Sequence, residues 1–269
     1  VRVDAVDPAS LAILPRGEIG VARILDLANV DAVAAIQTAD RVRVLDEGVE
    51  IGANAVVARN TRIGAGTIVH PFAVLGGPPQ SVGYKGEETG LVIGAKNVIR
   101  EFVTINRGMP NARGETRIGD GCFIMTHAHI AHDCVVGDHT IFANNASLAG
   151  HVHVGDWAIL GGYTLVHQFC RIGAHSFCGF ATGVQRDVPP YVTVAGYRAE
   201  PYGINSEGLR RRGFEAETIA VIKRAYKLLY MSDLKLAEAV ERMRELVATH
   251  PPVALLADFV ADSPRGIVR

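Results

Sequence analysis

The chain has 269 residues, of which 48% are apolar and 20% charged, and its 27 basic and 28 acidic side chains nearly cancel. This length and composition predict a folded chain with a sizeable core and exclude a disordered one. The balanced charge argues against a nucleic-acid or membrane-surface partner. Only 6% of the residues are aromatic while 29 are glycine, which favours a turn-rich β fold.

The sequence also indicates a compartment. No apolar run approaches the ~20 residues that span a bilayer, and Asp4 and Asp7 stand where a secretory signal would be basic. Four cysteines, without a C-x-x-C pair, lie among apolar neighbours: Cys122, Cys134, Cys170 and Cys178. We therefore expect a cytoplasmic protein with reduced, buried thiols and no membrane span.

Residues 1–50 fit no single pattern. Ile13 and Ile19 are six positions apart, and Gly20 follows the second, which suggests one rung of the repeat that follows. Residues 22–40 are low in glycine and are compatible with a helix. We expect this segment to be an N-terminal cap or a set of degenerate rungs.

Residues 51–205 carry a six-residue repeat. Apolar residues stand at every sixth position in one long run and in two shorter runs before it: Ile118, Ile124, Ile130, Val136, Phe142, Leu148, Val154, Leu160, Val166, Ile172, Cys178 and Val184; then Ile51, Val57, Ile63, Val69 and Leu75; and Ile93, Ile99 and Ile105. Neither a helix nor a half-buried strand has this spacing. It predicts a three-sided parallel β-helix with six residues per face and one inward aliphatic residue on each.

Two segments interrupt the repeat. Residues 76–90 place Ser81 and Glu87 at expected inward positions, and residues 108–117 shift the phase by one. Continuous stacking of rungs needs neither segment, so we interpret both as excursions from the coil. Excursions on one side of a solenoid commonly carry function.

After about Ser206 the apolar spacing becomes helical. Ile219, Ile222 and Tyr226 form one face, Ser232 offers an N-cap, and the prolines 251–252 open a last short helix. We predict that residues 206–269 form a C-terminal α-helical domain that covers the end of the solenoid.

Histidines are concentrated in one stretch. Six of the ten fall within residues 127–153: His127, His129, His132, His139, His151 and His153. With three six-residue faces per turn, Gly150 lies one rung, ~4.8 Å, above His132, and Gln168 lies one rung higher. We expect His129 and His151 to gather with them on one side of the coil.

Three interpretations of this cluster compete. A metal site on His127 and His132 needs a third histidine from about two rungs earlier, and residues 71–126 contain none. We therefore predict no metal. General-base catalysis by His132, oriented by Asp133, has an oxyanion donor available in the Gly150 amide. The third interpretation is a set of solvated histidines on a solenoid.

Longer motifs point to a family. They lie at residues 100–108, 129–134, 144–152, 166–169, 187–191 and 202–214. From about residue 50 onward the sequence resembles the UDP-N-acetylglucosamine 3-O-acyltransferases, hexapeptide-repeat enzymes that begin lipid A synthesis. The resemblance implies a homotrimer of left-handed parallel β-helices, each with a helical tail, with active sites between the subunits.

The resemblance also implies chemistry and residue roles. The enzyme would transfer an R-3-hydroxyacyl chain from acyl carrier protein to the 3-hydroxyl of a UDP-sugar, without a cofactor. The family's base falls on His132, supported by Asp133, and its oxyanion glycine on Gly150. Its substrate-binding positions fall on His129, His151, His167 and Gln168, and its nucleotide-binding positions on Asn205, Glu207, Arg211 and Arg212.

Two positions depart from the family near the acceptor sugar. Ser81 and Gly83 stand where the family typically has Asp and Lys. Two alternatives therefore stay open: an acyltransferase of the same fold acting on another, 3-amino, sugar nucleotide, and a catalytically silent paralogue that binds carrier protein or nucleotide sugar.

Phe180 bears on acyl length. The family has glycine here in enzymes that take long chains, and Phe180 lies about 2.7 rungs, or ~13 Å, beyond His132. We predict that it is the floor of the acyl groove and that the donor is near C10.

The tail is basic. Between residues 210 and 227 its cations outnumber its acids by four: Arg210, Arg211, Arg212, Lys223, Arg224 and Lys227 against Glu215 and Glu217. This excess suits the docking of an acidic carrier protein, although a solvated helix face has the same composition.

Overall fold

A computed structural model describes residues 48–269 in full and, before them, the backbone of three strands: β1 (Arg2–Val6), β2 (Gly20–Leu25) and β3 (Arg41–Val42). These strands form an antiparallel sheet in the order β1-β2-β3. The helix with which residues 22–40 are compatible does not form over Ala22–Leu25, which belong to β2, because the β-branched residues of this strand favour extended backbone. The rest of that helix, with Ile13 and Ile19, lies outside the described residues.

Residues from Glu50 onward form a three-sided coil of parallel strands, one sheet per face. The first face comprises β4 (Glu50–Ile51), β7 (Ile68–Val69), β10 (Val98–Ile99), β13 (Phe123–Ile124), β16 (Ile141–Phe142), β19 (Ile159–Leu160), β22 (Phe177–Cys178) and β24 (Val192–Ala195), edged by the antiparallel β25 (Glu200–Ile204). The second comprises β5 (Val56–Val57), β8 (Val74–Gly77), β11 (Thr104–Asn106), β14 (His129–Ile130), β17 (Ser147–Leu148), β20 (Leu165–Val166) and β23 (Gly183–Val184). The third comprises β6 (Thr61–Ile63), β9 (Gly90–Ile93), β12 (Glu115–Ile118), β15 (Val135–Val136), β18 (His153–Val154) and β21 (Arg171–Ile172).

The sixth-residue pattern fills the inside of the coil. Along the first face, Ile124, Phe142, Leu160 and Cys178 pair in register from rung to rung, and each is 0% exposed. Every rung thus buries the aliphatic residue below it. The stabilisation from burying apolar side chains is therefore spread along the coil and does not come from a separate globular core.

Each turn of the coil bends at three corners, and the corner residues adopt left-handed backbone conformations. They stack in three columns: His127, Asn145, Tyr163 and Ala181; Asp133, His151 and Phe169; and His139, Trp157 and His175, all with φ between 54° and 63°. This conformation is unfavourable for non-glycine residues. Cross-rung hydrogen bonds offset the cost, for example from His151 N–H to the His132 carbonyl at 3.0 Å.

Two excursions leave the coil on neighbouring rungs. Leu75 pairs with Ile105, thirty positions on, instead of with a residue eighteen positions on. Ile105 in turn pairs with Ile130, twenty-five positions on. Gly90 joins the bases of the two excursions, since its carbonyl accepts from Gly108 N–H at 3.1 Å and its N–H donates to Gly114 at 2.9 Å.

Four helices follow the coil: α1 (Ser206–Arg211), α2 (Ala216–Tyr230), α3 (Leu236–Val247) and α4 (Val253–Ala261). Their own core contains Ile222, Leu229 and Met243. Ser232 is not the N-cap predicted for the next helix, because its hydroxyl donates to Leu228 and closes the end of α2. Tyr191 ties the coil to this domain by donating to the Pro252 carbonyl at 2.9 Å.

The predicted buried thiols are confirmed: all four cysteines are buried and unpaired. Burial raises the pKa of the Cys134 and Cys178 thiols to about 12, so they behave as small apolar side chains. Within the part of the chain that the structure describes, no helix is long and apolar enough to cross a bilayer.

If the stacked inward side chains stabilise the coil, removing one of them should greatly lower the free energy of unfolding. Leu160→Ala removes a fully buried side chain between Phe142 and Cys178, so we expect the free energy of unfolding in urea to fall by about 2–5 kcal/mol. Leu255→Ala is the matched control, because Leu255 on α4 is 43% exposed. Equal losses in both variants would contradict the account.

Candidate functional site

His132 and Asp133 form a hydrogen-bonded pair at one corner of the coil. His132 Nδ1 lies 2.8 Å from Asp133 Oδ2, and the His132 and Asp133 side chains are 19% and 1% exposed. The same oxygen accepts from the Met109 N–H at 3.0 Å. A carboxylate on Nδ1 favours the tautomer that carries its proton there, which leaves Nε2 as a base.

Gly150 lies directly against the His132 ring. A Cβ built on Gly150 would lie 2.7 Å from His132 Cε1 and 2.8 Å from Nε2, closer than real side chains come. The Gly150 N–H has no acceptor among residues 48–269. A free backbone donor therefore stands next to the candidate base, one rung above it.

His151 completes this cluster. Its ring meets that of His132 edge-on, with centroids 5.1 Å apart, and stacks on Phe169 at 4.5 Å. The pKa of His151 is lowered chiefly by burial, against the opposing charge of Asp133. A lowered pKa favours the neutral imidazole, which can donate or accept a hydrogen bond.

The other predicted substrate-binding residues, His129, His167 and Gln168, do not all lie in this cluster. His129 lies on β14 and bonds to Thr104 Oγ1 at 2.7 Å, and burial lowers its pKa. His167 and Gln168 are exposed on the rung above, where His167 Nδ1 lies 3.1 Å from the Gln168 carbonyl oxygen.

The remaining histidines of the stretch are dispersed. His127 stacks on Phe102 at another corner, with centroids 4.9 Å apart, and His139 stacks on Trp157 at the third corner. His153 points out from β18, on the third face. Of these six histidines, His132 and His151 have rings in contact, His127 and His139 lie at other corners, and His129 and His153 lie on strands.

Ligand atoms of His132, Asp133 and His151 lie within 4.8 Å of one another. The donor set fits a metal poorly, because Asp133 Oδ2 already accepts two hydrogen bonds and His132 Nδ1 is one of the donors. A catalytic zinc takes three protein ligands free to coordinate. The predicted absence of a metal stays a prediction.

A second cluster forms beside α1, at the corner of Trp157 and His175. The Arg212 guanidinium lies over the Trp157 ring at 5.7 Å, and its Nε and Nη2 atoms are buried without a partner among the described residues. Burial, followed by the positive charge of Arg212, lowers the pKa of His175 to about 4. Unpaired guanidinium donors beside an aromatic ring suit a phosphate or a base.

The other predicted nucleotide positions have structural partners. Asn205 caps α1 by accepting from Gly208 N–H at 3.1 Å, and its amide donates to the His175 carbonyl at 3.0 Å. Glu207 pairs with both Arg210 and Arg211, which lowers the pKa of its carboxyl. Arg212 is thus the nucleotide candidate with donors to spare.

The first excursion is anchored by a buried cation. Arg107 is 5% exposed and donates to the Gly76 carbonyl and to the Tyr84 hydroxyl. Ser81 Oγ accepts from Gly83 N–H at 3.4 Å, so both positions that depart from the family lie in one turn of this excursion.

Phe180 is 73% exposed in the single chain. It meets Tyr163 edge-on, with centroids 5.9 Å apart, and lies immediately before the Ala181 corner. Its ring also lies beside Gly162, where an added Cβ would be 3.5 Å away. The side chain therefore projects from the coil.

The sequence analysis did not identify two groups that hydrogen-bond to Asp133. The Met109 contact is a backbone N–H, which no residue type reveals. Thr116 Oγ1 accepts from Asp133 N–H at 2.9 Å. Thr116 was hidden because the phase shift at residues 108–117 obscured which residue lies beneath Asp133.

Similarity to known proteins covers most of the chain. Residues 187–268 match the family described as UDP-N-acetylglucosamine O-acyltransferase, domain 2, and residues 44–77 and 115–150 match the bacterial transferase hexapeptide repeat. An acyl-[acyl-carrier-protein]–UDP-N-acetylglucosamine O-acyltransferase from Halorhodospira halophila is 55% identical over 209 residues, 78% of this chain and 81% of that protein. A protein of the same name from Neisseria gonorrhoeae is 51% identical over 243 residues, 84% and 94% of the two chains.

Solved structures give the same picture. The UDP-N-acetylglucosamine acyltransferase from Bacteroides fragilis superposes with a TM-score of 0.80 at 38% identity, over 82% of this chain and 87% of that one. The Francisella novicida protein gives 0.73 at 39%, over 82% and 83%. The predicted fold class is thereby confirmed as mainly β: a left-handed parallel β-helix followed by an α-helical domain.

The contact between Gly150 and His132 predicts a coupled pair of substitutions. Gly150→Ala forces the imidazole to move, so we expect the free energy of unfolding to fall by about 1–3 kcal/mol. In a His132→Ala background the added methyl group has room, so Gly150→Ala should lower the free energy of unfolding by only about 0.5 kcal/mol or less. Urea unfolding of the four proteins measures both costs, and equal costs would contradict the contact.

Proposed function

Because the chain belongs to the UDP-N-acetylglucosamine O-acyltransferase family, we propose that the His132–Asp133 pair beside Gly150 is its catalytic centre. The enzyme transfers an acyl chain from acyl carrier protein to UDP-N-acetylglucosamine in lipid A synthesis. In our proposal the chain is an R-3-hydroxyacyl group and the acceptor atom is the sugar 3-hydroxyl oxygen. The single observation that supports the centre most is the 2.8 Å bond between His132 Nδ1 and Asp133 Oδ2.

The first step needs a base and an oxyanion donor. His132 Nε2 takes the proton of the sugar 3-hydroxyl while the hydroxyl oxygen attacks the thioester carbonyl carbon. The carbonyl oxygen becomes negative, and the Gly150 N–H, free of other acceptors, donates to it. Gly150 has no side chain to separate the carbonyl from this donor.

The second step returns the proton. The tetrahedral intermediate re-forms its carbonyl and breaks the carbon–sulfur bond, and the imidazolium protonates the departing thiolate of the carrier protein. Asp133 stabilises the imidazolium between the two steps. The products are the ester and a free carrier thiol, and no other reactant is consumed.

Two candidate subsites lie at different corners of one chain. The His132 cluster occupies the corner of Asp133 and His151, whereas Arg212 lies over Trp157 at the next corner. One face of six residues separates these corners by roughly 15–20 Å. A second copy that places its Arg212 corner against the first copy's His132 corner would join the subsites, which supports the predicted homotrimer.

The carrier protein is proposed to dock on α2. Lys223, Arg224 and Lys227 are exposed and make no ion pair with the residues described in full, whereas Arg210 and Arg211 share the single carboxylate of Glu207. Free cations on one helix suit an acidic partner. The cytoplasmic location stays a prediction.

A turnover assay tests the proposal. R-3-hydroxydecanoyl carrier protein and UDP-N-acetylglucosamine should give the acylated sugar nucleotide, and His132→Ala should lower kcat by about 10³-fold, because a general base contributes 10²–10⁴. His127→Ala is the matched control, since this exposed histidine lies at another corner.

Two outcomes would contradict the proposal. Equal turnover by His132→Ala and the wild type would remove His132 as the base. Turnover only with a 3-amino analogue of the acceptor would instead mean that the enzyme, with Ser81 and Gly83 in its first excursion, acts on a different sugar nucleotide.

Phe180 should set the acyl length. Phe180→Gly removes the proposed floor of the groove, so we expect the preferred donor to lengthen from about ten carbons by two to four, given a floor ~13 Å from the base along the coil axis. Competition between R-3-hydroxyacyl donors of different length measures the preference. Phe72→Gly, which removes another exposed ring, should leave it unchanged; an unchanged preference in Phe180→Gly would refute the role.

A further inference from the structure

The corner beneath Asp133 differs from the other corners of its column. In the two rungs above, the corner N–H donates to the carbonyl one rung below: His151 to His132 at 3.0 Å and Phe169 to Gly150 at 3.1 Å. Within residues 48–269, no carbonyl below Asp133 accepts its N–H in this way. Instead, the Thr116 hydroxyl accepts from Asp133 N–H at 2.9 Å.

The Asp133 side chain has few hydrogen-bond partners. Its Oδ2 atom accepts from His132 Nδ1 and from Met109 N–H, and its buried Oδ1 atom has no partner among the described residues. Asp133 also holds a left-handed conformation, with φ of 59°. The Thr116 hydroxyl therefore holds the Asp133 backbone, and the Met109 amide holds its carboxylate.

We propose that Thr116 is a positioning residue for the acyl transfer, acting on His132 through Asp133. The proposal rests on His132 as the proposed base. Thr116 is fully buried on β12, and its hydroxyl sets the backbone of Asp133. The carboxylate then faces Nδ1, and Nε2 stays free for the substrate.

The test separates positioning from simple stability. Thr116→Val keeps the branched shape but leaves a buried N–H unpaired, and Thr116→Ser restores the hydroxyl. Thr140→Val is the matched control, because Thr140 is equally buried and its hydroxyl donates to Cys122 Sγ, away from the base. Should Thr116→Val fail to fold, Thr116→Ala removes the same hydroxyl with less apolar bulk.

We expect Thr116→Val to lower kcat by about 10- to 100-fold, since small displacements of a catalytic group cost this much. The KM for UDP-N-acetylglucosamine should change little, and Thr116→Ser should recover most of kcat. Thr140→Val should lower the unfolding midpoint but keep kcat. Equal kcat values for the two valine variants, at matched folded fractions, would overturn the proposal.

A second readout needs no turnover. Nitrogen-15 NMR of the histidine rings, with His132 assigned from its loss in His132→Ala, should show the Nδ1–H tautomer in the wild type and a mixture in Thr116→Val. An unchanged tautomer would overturn the inference. If the wild type turned over no acceptor while the tautomer still responded, the proposed function would fail and the positioning by Thr116 would stand.

Discussion

Hydrogen bonds between rungs are the constraint on which the rest of the structure depends. They hold each residue of an uninterrupted coil over the residue eighteen positions earlier, as Leu148 stands over Ile130. Inward positions must then be apolar, and corner residues must accept a left-handed backbone. The same bonds place Gly150 against His132, so the arrangement of the candidate base and its donor follows from the repeat itself.

The groups that support Asp133 lie where the repeat is broken. The two excursions leave neighbouring rungs and are joined through Gly90, and the second brings the Met109 amide and the Thr116 hydroxyl to Asp133. A continuous coil would place an ordinary carbonyl under this corner. A regular scaffold with one local exception gives rigid positions for most groups and a special environment for one carboxylate.

The parts of the fold and site set by the repeat could be predicted from sequence. Spacing alone put Gly150 one rung above His132 and predicted the helical tail, and the family motifs supplied the left hand. Contacts made by backbone or across an irregular loop could not be predicted, as Met109 and Thr116 show. Ser232 misled because its hydroxyl bonds backward to Leu228 instead of capping α3, a local competition that composition does not decide.

The central claim is that His132 and Gly150 act together on the acceptor hydroxyl. A crystal structure with bound UDP-N-acetylglucosamine tests it most directly. We predict that the sugar 3-hydroxyl oxygen lies about 3 Å from His132 Nε2, on the side of the ring that faces the Gly150 N–H. A sugar held with this hydroxyl turned away from His132, or bound at a corner without His132, would contradict the account.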